Sequence, residues 1–274
     1  MADQRTVSQD SRPVMCNLLE VNPPGRIPSG VGELDRVLGG GWVGGSVVLL
    51  AGEPGVGKST LLLQVCNAMA TAERRVLYVS AEESPSQVAL RGKRLGAFDK
   101  GFPLVCQENV LEILPMLGDF DFAVFDSVQA MKHAGAQGWP GTPSQVRAVA
   151  QGISEEAKKC GCTAVLVGHI TKDGQIAGPK LLEHMVDVVL HFSGDKTSPY
   201  RHVRGMKNRY GSTDELGVFE MADNGLRGIP DPSRLYWSEA TCPMPGTAMT
   251  VVLEGSRPLV AEIQSLSCAT PFPY

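Results

Sequence analysis

The sequence has little that would carry it into or across a membrane. No apolar run in its 274 residues approaches the ~18–20 that a membrane-spanning helix needs. Residues 1–20 carry Asp3, Asp10 and Glu20 without an apolar core, which argues against a secretory signal and, less strongly, against an organelle transit peptide. A cytoplasmic location is the resulting expectation. A disulfide framework is missing too, because the seven cysteines (16, 66, 106, 160, 162, 242 and 268) are scattered and odd in number, which suits a reducing compartment. Cys160-Gly161-Cys162 has no second pair facing it at zinc-site spacing and reads as a helix-to-strand junction. There is no excess of positive charge: 25 Lys and Arg stand against 29 Asp and Glu, a net −4. That excludes a surface coated with basic charge, although a ring of subunits can still concentrate it in a channel. Internal repeats and low-complexity tracts are absent as well.

What is present is an ordinary globular composition, 43% hydrophobic and 20% charged, of a length that suits one α/β domain with short extensions. Its most informative stretch is Gly52-Glu53-Pro54-Gly55-Val56-Gly57-Lys58-Ser59, a full match to G-x-x-x-x-G-K-[ST]. Glycines at these positions let backbone N–H groups turn inward around phosphate oxygens. Lys58 is placed to reach the β- and γ-phosphates of ATP, and the Ser59 hydroxyl to hold Mg²⁺. The apolar run of residues 46–51 precedes the loop, and Thr60 opens a stretch, residues 60–70, that is apolar nearly all round. Strand, glycine loop and buried helix, with the helix N-terminus aimed at the anion, is the setting this chemistry requires.

Residues 1–25 are polar and end in Asn22-Pro23-Pro24-Gly25, a flexible lead-in to an ATPase domain over residues 26–240. Further strand-like runs at 75–80, 122–126, 163–168 and 186–192 alternate with helical stretches. That rhythm predicts an α/β fold with a mostly parallel sheet covered on both faces. Residues 200–206 and 215–221 look like an antiparallel hairpin at its edge. Thr142-Pro143-Ser144-Gln145 predicts a capped helix start with a capping-box glutamine, and Lys158, Lys159 and Gly161 its end.

Hydrolysis needs a metal-linked acid and a group that orients water. Asp126, ending the strand Phe122-Ala123-Val124-Phe125, supplies the first. Glu82 in Ser80-Ala81-Glu82-Glu83-Ser84 is the predicted base, with Glu83 as the alternate. His169, at the end of the strand over 163–168, stands where a polar side chain can sense the γ-phosphate and move the loop that follows.

From Arg26 onward the chain resembles the bacterial RadA (Sms) family of DNA-repair ATPases on the RecA-like fold. The resemblance is carried by residues 29–41, by Val79-Ser80-Ala81-Glu82-Glu83-Ser84, by Asp126-Ser127-Val128-Gln129, by residues 169–178 and by residues 182–187. Its most specific piece is Lys207-Asn208-Arg209-Tyr210-Gly211-Ser212-Thr213, where the family usually has Phe at position 210. It implies a ring, typically a hexamer, that binds single-stranded or branched DNA, works with a recombinase and uses ATP for branch migration. It also implies that Lys207 and Arg209 act on a neighbouring subunit's γ-phosphate. DNA contacts are expected in loops facing the channel: Lys132, His133 and Trp139 in one, Lys172 and Lys180 in the other. Trp139 either stacks on a base or packs under the helix that follows it.

The family usually begins with a four-cysteine zinc module, whereas Cys16 is the one cysteine before the phosphate loop here. It usually ends in a Lon-protease-like domain, whose opening strands residues 246–266 resemble. Residues 241–274 are therefore expected to be a shortened start of that domain. Two other readings remain: a nucleotide-gated DNA-binding scaffold without turnover, and another RecA-like ATPase of the clock or strand-exchange type.

Overall fold

The computed structural model describes residues 25–96, 100–169, 181–195, 198–235 and 245–268. The short pair β1 (Arg26–Ile27) and β2 (Trp42–Val43) brackets helix α1 (Gly32–Leu38). The phosphate-loop motif joins β3 (Val47–Gly52) to α2 (Lys58–Thr71). There follow β4 (Val76–Ser80), α3 (Pro85–Leu95), β5 (Leu104–Cys106), β6 (Phe122–Asp126), α4 (Pro143–Cys160) and β7 (Thr163–His169). After these come α5 (Leu181–Met185), β8 (Val188–Ser193), β9 (Tyr200–Asn208), β10 (Leu216–Ala222) and β11 (Gly225–Gly228). A separate hairpin, β12 (Thr247–Glu254) and β13 (Arg257–Gln264), ends the described chain.

Nine strands form one sheet in the order β11-β10-β9-β8-β3-β7-β6-β4-β5. From β8 to β5 every pairing is parallel. From β8 to β11 every pairing is antiparallel. The architecture is therefore the expected mostly parallel α/β sheet with antiparallel edge strands. All six residues of β3 are buried, because helices cover both faces of the parallel strands and an unbroken apolar run suits that position. On one face Leu34, Leu62, Val65, Tyr78, Phe122 and Phe192 pack together. On the other, Leu49, Phe125, Val146, Ile153 and Leu166 pack under α4.

Helix α4 ends as expected, with Gly161 left-handed at φ 77°. Its start differs from the expectation. Thr142 is the N-cap residue, but its hydroxyl donates back to the Trp139 carbonyl at 2.8 Å. Gln145 is buried instead of capping: its Oε1 accepts from the His133 N–H at 2.7 Å, and its Nε2 donates to the Ala136 carbonyl at 2.7 Å. The preceding loop has orphan backbone groups that this amide satisfies better than water could, so tertiary demand overrides the local capping pattern.

The β12–β13 hairpin docks through charge. The Arg257 Nη2 donates to Glu33 Oε1 at 2.7 Å, with both side chains buried. Arg204 pairs with Glu254 beside it.

Candidate functional site

The phosphate-loop motif leaves the sheet at the carboxyl end of β3, between His169 of β7 and Phe192 of β8, both in register with Gly52. A Cβ at Gly52 would strike the Phe192 carbonyl oxygen. Gly55 (φ +80°) and Gly57 (φ +114°) take conformations that L side chains rarely adopt, and a Cβ on Gly57 would lie 2.8 Å from Met221 Cε. Glu53, Pro54 and Gly55 are exposed and Val56 is buried, while Ser59 and Thr60 stand half-buried on the first turn of α2. The result is a backbone cradle, at a helix N-terminus, that side chains would fill.

Lys58 is 4% exposed, and its amine donates to the carbonyls of Gly52 at 2.8 Å and Glu53 at 2.9 Å. Burial pulls its pKa down to about 8, against the opposing pull of Asp126 and Glu82. The same amine lies 3.2 Å from His169 Nδ1. A ring accepting there carries its proton on Nε2, the nitrogen 3.6 Å from Glu82 Oε1.

Glu82 follows β4, and the buried Ser127 hydroxyl donates to its Oε1. His169 is the largest cause that brings the Glu82 pKa down to about 2; Ser127 and Lys58 add to it against the cost of desolvation. The neighbouring Glu83 is engaged elsewhere, by Arg91 of α3. Asp126 ends β6 half-buried, and its Oδ2 accepts from the Tyr78 hydroxyl at 2.6 Å. Burial pushes the Tyr78 phenol well above its ordinary value, with the Asp126 charge adding to the shift, so it stays a proton donor.

The oxygen donors fit magnesium. A serine hydroxyl at the start of α2 and a carboxylate at the end of β6 are hard ligands, and Mg²⁺ takes few protein ligands when phosphates supply others. Among the described residues no group of three or more His, Cys, Asp or Glu could hold a metal ion. A cation here would therefore complete its shell from phosphate and water.

Lys207 and Arg209 stand at the other edge of the sheet, since Asn208 pairs with Val188 at the amino end of β8. The Lys207 amine donates to the carbonyls of Glu183 at 2.6 Å and Val186 at 2.7 Å. Arg209 Nη1 donates to Asp187 Oδ1 at 3.1 Å. The buried Asp187 also accepts from the Val47 N–H at 3.0 Å, tying this segment to the start of β3. Lys132 is exposed and pairs with Glu108 at 3.3 Å. Trp139, left open between stacking and packing, is 83% exposed. Lys172 and Lys180 lie outside the described residues.

Sequence reasoning gave no role to Tyr78 or to Ser127, the two hydroxyls on the acids. A tyrosine inside an otherwise aliphatic buried strand was the available signal, because a buried phenol needs a partner.

The AAA domain family matches residues 32–175. The chain is 48% identical over 272 residues to the DNA repair protein RadA of Mycobacterium tuberculosis, covering 98% of this chain and 56% of the relative. It is 46% identical over 254 residues to the protein of the same name from Brucella abortus, covering 90% and 54%. It thus spans little more than half the length of these relatives. In fold it is similar to a KaiC-like protein from the archaeon Pyrococcus horikoshii, with a TM-score of 0.62 at 21% identity, over 76% of this chain and all of that one.

Proposed function

The chain belongs to the AAA domain family and resembles RadA proteins along nearly its whole length; from that premise we propose that it hydrolyses ATP and couples the reaction to single-stranded DNA in recombinational repair. The observation that carries this reading is the convergence of Lys58, Glu82, Asp126 and His169 beside one phosphate cradle. Backbone amides of residues 52–60 and the Lys58 ammonium bind the phosphates. Magnesium, held through Ser59 and Asp126, would neutralise β- and γ-phosphate charge. Glu82, ionised at any physiological pH, orients and polarises the attacking water. His169, touching both Lys58 and Glu82, responds when the lysine turns from its own loop carbonyls to a γ-phosphate. The residues that follow His169 in sequence include Lys172 and Lys180, so the response would be passed to lysines that hold the DNA backbone together with Lys132.

Lys207 and Arg209 complete the site of the next subunit in a ring. Within their own chain they are bonded at the amino edge of the sheet, away from the phosphate loop. A heterologous interface makes such an arrangement work, because the front of one subunit meets the back of another. The reading is tested by ATP turnover across a range of protein concentrations, with and without single-stranded DNA. Turnover per subunit should rise with protein concentration and rise again with DNA. Constant turnover per subunit with no response to DNA would refute a shared, DNA-coupled site.

A further inference from the structure

We infer that Tyr78 is a positioning residue that sets the orientation of the magnesium-side carboxylate, Asp126. The inference rests on the proposed role of Asp126 and adds a residue that this role requires. Tyr78 lies mid-strand in β4, and in the parallel register it faces Val124 while Ser80 faces Asp126. Its side chain therefore shares a sheet face with Asp126 and reaches one pleat towards the carboxyl edge. The hydroxyl arrives at Asp126 Oδ2 at 2.6 Å, the length of a charge-assisted O–H···O⁻ bond.

Around the ring the packing is apolar: Tyr78 is 1% exposed and belongs to the core cluster with Val65, Cys66, Val76 and Val124. A phenylalanine would fill that space without a buried hydroxyl to satisfy. The hydroxyl does one thing a phenyl ring cannot. The terminal torsion of a carboxylate is broad, and a bond from a rigid, buried donor narrows it. With Oδ2 committed to Tyr78, Oδ1 would be the oxygen left for a magnesium-bound water.

The test uses the full chain and mant-ADP fluorescence, with Mg²⁺ titrated from zero. Tyr78→Phe should leave metal-free mant-ADP affinity unchanged and raise the Mg²⁺ concentration for half-maximal effect by about tenfold or more, the lower end of what one hydrogen bond to a charged group is worth. An unchanged Mg²⁺ response, or an equal loss of metal-free affinity, would overturn the inference. Asp126→Asn separates the two levels. If it loses the Mg²⁺ response while Tyr78→Phe keeps it, only the positioning role falls; if Asp126→Asn keeps it, the assignment of the site falls as well. Should Tyr78→Phe not fold, ¹³Cζ-tyrosine NMR of the wild-type chain takes its place. The resonance of the solvent-protected ring should shift when Mg²⁺ is added to the ADP complex, and a resonance that stays still would equally refute the role.

Discussion

At the scale of single residues, the Lys58 amine is held among loop carbonyls with a pKa near 8, so nucleotide binding inherits a proton. The sign is fixed by which form binds. The ammonium attracts phosphate and dominates below about 8; above that the amine is neutral, and binding must take up a proton from solvent. ATP affinity, measured by titration calorimetry, should fall by up to about tenfold per pH unit above the lysine pKa. Lys58→Arg keeps its charge throughout and should remove that slope, whatever it does to absolute affinity; a slope that persists would place the proton elsewhere. Lys58, Ser59, Glu82 and Asp126 could be named from the sequence because motif and strand ends mark them. The contacts among them could not, since Lys58 meets His169, and Tyr78 meets Asp126, only after β3, β7, β6 and β4 take their order in the sheet.

At the scale of elements, two nearly identical helix starts come out differently. Ser84-Pro85-Ser86-Gln87 and Thr142-Pro143-Ser144-Gln145 share one pattern. In α3 the glutamine turns back to its cap, and Gln87 Oε1 accepts from the Ser84 N–H at 2.8 Å. In α4 the glutamine is pulled under the preceding loop. A capping pattern marks where a helix begins, but the competing demand of a loop far from any strand register is invisible until the loop has a path. The buried strands were the easiest elements to read, because continuous apolar runs bounded by Gly, Asp or His leave few alternatives. Gln145→Leu strips the His133 N–H and the Ala136 carbonyl of their partner. It should cost about 2–6 kcal/mol, two orphaned groups at the usual penalty, in urea unfolding monitored by circular dichroism. Single-stranded DNA binding should weaken with it if residues 132–139 carry DNA contacts. A loss of stability within about 0.5 kcal/mol, the range of a neutral surface change, would mean the loop does not depend on this amide.

At the scale of the whole molecule, the phosphate cradle and the Lys207–Arg209 segment occupy opposite edges of one sheet, so the proposed trans role of Arg209 requires assembly. Subunits carrying Glu82→Gln and subunits carrying Arg209→Ala should each be nearly inactive, the second by the ~10³–10⁵ that a trans guanidinium contributes. Mixed in equal amounts they should regain about a quarter of wild-type turnover, the share of heterologous interfaces that pair one intact cradle with one intact arginine. Activity no greater than the sum of the parents would mean that Arg209 serves its own chain. The buried strand β8 joins the two edges: its Val189 stands opposite Lys207, and its Phe192 opposite Gly52. A strand paired on both sides compresses very little, and the three steps from Val189 to Phe192 measure about 10 Å. Under the proposed function each subunit would therefore be a spacer of fixed length between its own phosphate cradle and the Lys207–Arg209 segment offered to its neighbour. In the proposed ring, nucleotide turnover would tilt such spacers against one another without shortening them, and a stroke delivered to DNA would be a change of angle between subunits.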